Sequence, residues 1–437
     1  MSKCFIFFTI IVGLSFTSQA QTKSTNTPSE LGKQAAELLQ KSDFENLHSL
    51  FAEKMASTLS PERMKKSFSV LFKQFGELKS IDEFVVKKTA EQDYYQQAVT
   101  FEKQQFFLVF TLNEKDLLTS FMLRPYQATY SWTAPSYAAE ASEYIEEDIK
   151  IGDSLALNGK LTVPKSGGET IAVFVHGSGP NDMDETLGPN KLFKDVAYGL
   201  AANGIASIRY NKRTYDYPSQ MTKLANELTI LQVVINDAVK AIELARKKGA
   251  KKVILIGHSL GGYCAPMIAE LAKPDAVITL AGSVSPLEDL LIGQYEHIRE
   301  NDTSSNINDF QMAMIKTQVE RVQKGEYDSA TAPPLLPLGL PASFWLSLKD
   351  YEPQKIAKKQ TQPYLILNGE RDYQVTPSEA KKWKNGSKNK QSKTIIYPYL
   401  NHMFFAGEGA CLPSEYEKEG HFSQETLNDI VNWISEL

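Results

Sequence analysis

Residues Val253 to Gly262 read VILIGHSLGG. The run Val253-Ile254-Leu255-Ile256 has no polar break, the pattern of a strand buried on both faces. It ends in Gly257-His258-Ser259-Leu260-Gly261, with a helical stretch after it. A strand that turns straight into a helix crowds the residue at the corner. Side-chain-free neighbours relieve that crowding, and the central side chain projects outward beside the helix N-terminus. G-x-S-x-G alone also fits a Gly-rich phosphate turn or a plain turn. With a strand before it and a helix after it, Ser259 is a candidate nucleophile.

A serine hydroxyl is a poor nucleophile at its free pKa and needs a base. The chain has six histidines. His48 stands far upstream, His176 opens the turn HGSGP, and His297 lies in an insertion. His258 is beside Ser259 and is expected to point elsewhere. His402 directly follows the strand-like run TIIYPYL, while His421 precedes the last helix, where a surface or capping role is ordinary. His402 is therefore the preferred base. An imidazole in that role needs a carboxylate to fix its tautomer. The strand LILNGERDYQV ends with Glu370 and Asp372. Asp372 sits farther into the loop and is preferred; Glu370 reads as a salt-bridge or supporting residue. Oxyanion donors are expected from the backbone N–H of Leu260 and from the Gly-rich turn His176 to Pro180, at Ser178 or, next in line, Gly177.

Around this core the second half of the chain alternates strands and helices: TIAVFVHGSGP, GIASIRYNKR, KKVILIGHSLGG, AVITLAGS, PYLILNGERD and TIIYPYL. Such alternation predicts βαβ units and a mostly parallel sheet flanked by helices, with functional residues at the carboxyl ends of the strands. The segment Ser283 to Lys349 interrupts the rhythm with long helical stretches and an apolar, Pro-rich tail. It reads as a cap over the crevice; a decorated crossover is the plainer version.

The first half differs. Helical periodicity at Leu31, Ala35, Leu38 and Leu39, and again at Phe44, Leu47, Leu50 and Phe51, precedes a further helix at SPERMKKSFSVLFKQFG and four strand-like runs. Helices followed by consecutive strands predict a small α+β domain over 28–126. At the N-terminus, Lys3, the apolar run FIFFTIIVGLSF and the small residues of TSQA have the order of a signal peptide over 1–20, cleaved near Ala20. The run is too short to span about 30 Å of hydrocarbon comfortably. Residues 21–27 read as a polar linker, and 127–437 as the larger domain. After cleavage Cys264 and Cys411 remain. Export would allow them to pair, yet Cys264 lies one turn past Ser259, where a buried thiol is commoner.

At this level of detail the chain resembles the α/β-hydrolase superfamily, nearest to capped bacterial esterases and serine aminopeptidase-like hydrolases. The matching stretches are HGSGPNDMDETLGPNKLFKDVAYGLAANGIASIRYNKR, GHSLGG, LILNGERDYQV and YLNHMFFAGEG. The resemblance implies a triad of Ser259, Asp372 and His402, the residues already chosen. Asn211 in RYNKR departs from the RYDKR of the family, which leaves open the local network of Arg209, Lys212 and Arg213: an ion-pair cluster at the sheet edge, or a site for an acidic substrate. The first domain resembles, at pattern level, the NTF2-like or cystatin-like domains that precede some exported hydrolases, where a spacer role or ligand capture is expected.

The function expected is an exported serine hydrolase of carboxylic esters; Phe344, Trp345, Phe404 and Phe405 are candidates for an apolar acyl pocket, and aromatic core packing explains each equally well. A peptidase using the same machinery and an inert binding domain are the alternatives. The scattered histidines and absent Gly-rich nucleotide motif imply no metal and no cofactor. A net charge of −5 carries no basic footprint for nucleic acid, and no membrane insertion is expected after leader cleavage.

Overall fold

In a computed structural model of the chain, residues 27–126, 128, 130–305 and 307–437 are described. The expected leader, and all of the linker but Thr27, lie outside them. The chain divides into two compact units with the break at Thr129/Tyr130.

The first unit opens with four helices, Pro28–Gln40, Phe44–Ser49, Glu53–Thr58 and Pro61–Phe75. Thr27 and Ser60 cap the first and last of these, each followed by proline in the first turn, where a missing N–H costs nothing. Strands β1 (Leu78–Lys88), β2 (Asp93–Phe101), β3 (Gln105–Leu112) and β4 (Leu118–Pro125) then form an antiparallel meander in sequence order. Leu39, Leu47, Met64 and Phe68 from the helices join Val99, Phe101, Leu108 and Phe110 from the sheet in one apolar core. This is the helices-then-strands arrangement expected of an α+β unit.

The second unit is built on an eight-stranded sheet. Its strands are β5 (Tyr144–Ile151), β6 (Leu157–Pro164), β7 (Thr170–Val175), β10 (Ala206–Tyr210), β11 (Lys252–His258), β12 (Ala276–Leu280), β13 (Tyr364–Gly369) and β14 (Lys393–Tyr397); a two-residue hairpin, β8 (Thr186–Leu187) and β9 (Asn190–Lys191), stands apart. The order is β14-β13-β12-β11-β7-β10-β6-β5. From β10 to β14 all neighbours run parallel, and β5 and β6 add an antiparallel edge. Every residue of β10, β12 and β13 is buried, which is why these runs carry no alternation. Helices Leu192–Ala202 and Gln424–Ser435 share one core with the sheet through Phe193, Val196, Leu427 and Trp433, and helices Asn236–Lys247 and Leu260–Ala272 pack against β11. The fold is the α/β-hydrolase fold.

Between β12 and β13 the chain forms helices Leu287–Asn301, Asp309–Gln323 and Ala342–Leu348. The first two pair through Leu291, Met312, Ile315 and Val319. They form a local apolar cluster of their own.

Candidate active site

Parallel strands deliver their carboxyl ends to one edge. Ser178 follows β7, Ser259 follows β11, Asp372 follows β13 and His402 follows β14. The order of β14, β13, β12, β11 and β7 across the sheet therefore fixes which loops can meet.

At the end of β11 the backbone of Ser259 has φ 51° and ψ −114°. A non-glycine residue there carries strain of roughly 1–3 kcal/mol. The neighbours allow it. A Cβ on Gly257 would stand 2.4 Å from the Gly261 carbonyl oxygen, and one on Gly261 would stand 2.1 Å from that of Val175. No side chain fits in either place. The Ser259 N–H donates to Leu280 O at 2.8 Å, tying the corner to β12. Helix Leu260–Ala272 starts at the next residue, so the Leu260 N–H is among the amides that a helix leaves unpaired.

Asp372 is fully buried, and its Oδ1 accepts the N–H groups of Gln374 and Val375, each at 2.9 Å. Its Oδ2 accepts Nδ1–H of His402 at 2.8 Å. The proton is thus placed on Nδ1, and Nε2 of a neutral imidazole is left as an acceptor. Asn401 shapes the loop that carries His402: its Oδ1 accepts the N–H groups of Met403 and Phe405, both at 3.0 Å.

Ser259 and His402 line one cavity of about 370 Å³. The Ser259 hydroxyl has no hydrogen-bond partner among the described residues and opens into this space. Ser178, Leu260 and Gly177 line it as well. Gly177 and Ser178 are separated by their amides. Gly177 N–H donates to Glu185 Oε1 at 2.6 Å and is occupied, whereas no acceptor takes the Ser178 N–H among the described residues. The apolar walls come from Leu287, Leu290, Leu291, Leu338, Leu340, Phe344, Trp345, Val375 and Met403.

The structure decides one open alternative and corrects one expectation. Phe404 and Phe405 do not line the cavity; they sit in the sheet core with Tyr397 and Phe422, while Phe344 and Trp345 are in the wall. The reason is local: Phe404 has φ 60° in a tight turn that folds both rings inward. His258 does not point elsewhere. It lines the cavity, its Nε2 lies 3.1 Å from the His402 carbonyl oxygen and its Nδ1 lies 3.0 Å from Glu185 Oε2.

The other candidates are placed as follows. Glu370 is exposed. His421 meets Asp195 at 3.1 Å, His48 meets Ala56 O at 3.0 Å and His297 meets Cys411 O at 2.8 Å, all outside the cavity wall. Buried His176 is pushed down to about 4 by desolvation. Arg209 is paired with Glu146 and Asp184, Arg213 with Asp237 at 2.5 Å, and buried Lys212 donates to Gly177 O at 2.6 Å. Asn211 accepts from Met183 N–H at 2.7 Å and donates to Asp216 at 2.9 Å. These groups are spent on structure. Cys264 and Cys411 are both free and buried.

Sequence reasoning missed Glu185. It arrives from the hairpin region after β7, held at φ 51°, with no motif to single it out.

Over 396 residues the chain is 32% identical to Esterase EstD of Thermotoga maritima, spanning 90% of this chain and 92% of that one. The chain belongs to the α/β-hydrolase esterases. Residues 190–409 of this esterase match the family described as serine aminopeptidase, and residues 33–121 match a family described as a protein of unknown function. Among solved structures, Est1E of Butyrivibrio proteoclasticus with ferulic acid bound is similar at 16% identity and a TM-score of 0.42, covering 66% of this chain and 96% of that one. An esterase of Pyrococcus furiosus is similar at 11% identity and a TM-score of 0.43, covering 71% and 97%. The enzyme is a carboxylic ester hydrolase.

Proposed function

We propose that the protein is an exported serine esterase that cleaves neutral, apolar acyl esters through an acyl-enzyme on Ser259. Ser259 Oγ attacks the acyl carbon as His402 Nε2 takes its proton, and buried Asp372 stabilises the imidazolium. The N–H groups of Leu260 and Ser178 hold the oxyanion. His402 returns the proton to the departing alcohol, then activates water to release the acid. The observation that carries this reading is the His402–Asp372 hydrogen bond at 2.8 Å beside a cavity that Ser259 also lines.

The cavity wall favours esters over the aminopeptidase alternative. A free α-ammonium group needs a carboxylate partner, and Glu185 is the one carboxylate in the wall among the described residues. Its oxygens are already engaged by Gly177 N–H and His258. The same wall suits an apolar acyl group and a small-molecule ester. We further assign the segment 283–349 the role of a cap, since Leu287, Leu290, Phe344 and Trp345 roof the cavity. The domain bounds 28–126 and 127–437 go with this reading. Export rests on the leader-like order of residues 1–20 and is tested by the N-terminal sequence of the mature protein.

The test of function sets p-nitrophenyl acyl esters against aminoacyl-anilides, with the native enzyme and Ser259→Ala. Ester turnover lost in the variant, with anilides poor throughout, is the expected result. Anilides preferred over esters would install the peptidase instead.

A further inference from the structure

His258 stands between the two loops that must cooperate. On one side its Nε2 meets the carbonyl oxygen of His402 at 3.1 Å; on the other its Nδ1 meets Glu185 Oε2 at 3.0 Å. Glu185 continues the chain of contacts, since its Oε1 accepts the Gly177 N–H at 2.6 Å. Lys212 closes the far end by donating to Gly177 O at 2.6 Å. Gly177 is thus gripped on both sides, its N–H in the peptide before it and its C=O in the peptide after it. That second peptide also carries the Ser178 N–H, so the two contacts together set the direction of that amide.

Donor and acceptor counting fixes the charge. A carbonyl oxygen only accepts, and an ionised carboxylate only accepts. His258 faces one of each. A neutral imidazole has one N–H and satisfies one of them; an imidazolium satisfies both. All members are buried, and an unmet polar group there would cost about 1–3 kcal/mol.

We propose that His258, as an imidazolium clamped between Glu185 and the His402 carbonyl, is a positioning residue that locks the base loop and the oxyanion loop into one register. It touches no reacting atom. It acts through His402 and through the Gly177–Ser178 turn, and the idea rests on the assignment of those groups made above. The charged and titratable groups facing it are Glu185, the His402 ring with its centroid 4.8 Å away, Asp372, His176 and, across Gly177, Lys212. Burial disfavours the charged ring, but Glu185 and the hydrogen bonds to Glu185 and His402 outweigh it and raise its pKa above the ordinary imidazole value.

The consequence is a second, alkaline limb in the rate profile. When His258 loses its proton, one of its two contacts breaks and the loops lose register. In Glu185→Gln the amide keeps an acceptor for Gly177 N–H and offers an N–H to Nδ1, so a neutral imidazole satisfies both contacts. The experiment is the pH dependence of kcat and KM for a p-nitrophenyl ester, with the full-length native enzyme, Glu185→Gln and His258→Gln. The native enzyme is expected to fall off at alkaline pH with KM little changed. That limb should vanish in Glu185→Gln. His258→Gln should lower kcat by about 10- to 100-fold, the size of effect a small misplacement produces, without the limb. An alkaline limb identical in native enzyme and Glu185→Gln would overturn the clamp. Should the variants not fold, ¹⁵N resonances of the His258 ring in the native enzyme decide: both nitrogens protonated at pH 7 supports it, a neutral tautomer overturns it. Labelling by a fluorophosphonate separates the two layers. A missing adduct at Ser259 contradicts the nucleophile, whereas a normal adduct with an unaltered alkaline limb in Glu185→Gln contradicts the clamp alone.

Discussion

Asp372 Oδ2 accepts the Nδ1–H of His402 at 2.8 Å, and its Oδ1 is held by two backbone amides. The carboxylate is therefore fixed before it fixes the ring. Asp372→Asn keeps the size but turns an N–H₂ toward the imidazole, favouring the wrong tautomer. A fall in kcat of about 10³- to 10⁴-fold is expected, with KM for p-nitrophenyl esters little changed. Steady-state kinetics on the folded variant check this.

The elbow glycines make a stability prediction. In Gly261→Ala the new methyl would meet the Val175 carbonyl at 2.1 Å, against backbone that cannot step aside. Overpacking of this kind costs about 1–3 kcal/mol or more. A lower midpoint in urea, together with a loss of esterase activity at low denaturant, is the expected outcome.

How much of this was legible follows from what each residue needs. Ser259 is marked locally, because an apolar strand, two glycines and a helix lie within a few residues. Asp372 and His402 are marked by position after strands whose parallel order brings their ends together. Glu185 is not, since its meeting with His258 depends on the path of the turn after β7. For Phe404 and Phe405 pocket and core stayed equally open, because an aromatic side chain carries no sign of which it faces; the turn at Phe404, with φ 60°, goes with the core. The small α+β unit was legible from caps and periodicity, while its function left no chemical mark.

With the segment 283–349 proposed as the cap, its side chains in the cavity wall are expected to limit acyl length. Leu290 is half-buried in the cavity wall. Leu290→Trp should fill part of the 370 Å³ space, raising KM for long acyl chains by about 5- to 150-fold, as roughly 1–3 kcal/mol of overpacking implies, while acetate esters keep their kinetics. A p-nitrophenyl ester series from acetate upward reads this out.

The two thiols are expected to stay separate. Burial pushes Cys264 up to about 12 and Cys411 up to about 11. Neither should react with a thiol reagent near neutral pH until the protein is unfolded. Denatured enzyme should then titrate for these two thiols, and for a third where residues 1–20, with Cys4, are retained. A Cys264–Cys411 linkage in a non-reducing peptide map would contradict this.

The Glu185–His258 pair also sets a stability window. His258 is raised in the folded state, so its contribution is complete below the unfolded imidazole value of about 6.5 and fades as pH climbs through the folded one. For Glu185 burial acts upward, but His258 and the Gly177 N–H hold the carboxyl below its ordinary value. Its contribution is complete above about 4.3 and is lost as pH falls through the lowered value. Between about 4.3 and 6.5 both are in force. Thermal melting across pH should show that plateau for the native enzyme and a flatter curve for Glu185→Gln.

The most direct test of the account is rapid quenching of the reaction with a p-nitrophenyl ester, followed by peptide mass analysis. The account predicts a burst of p-nitrophenol and an acyl mass on the peptide containing Ser259, absent in Ser259→Ala. An acyl group carried on another residue, or undiminished turnover in Ser259→Ala, would contradict it.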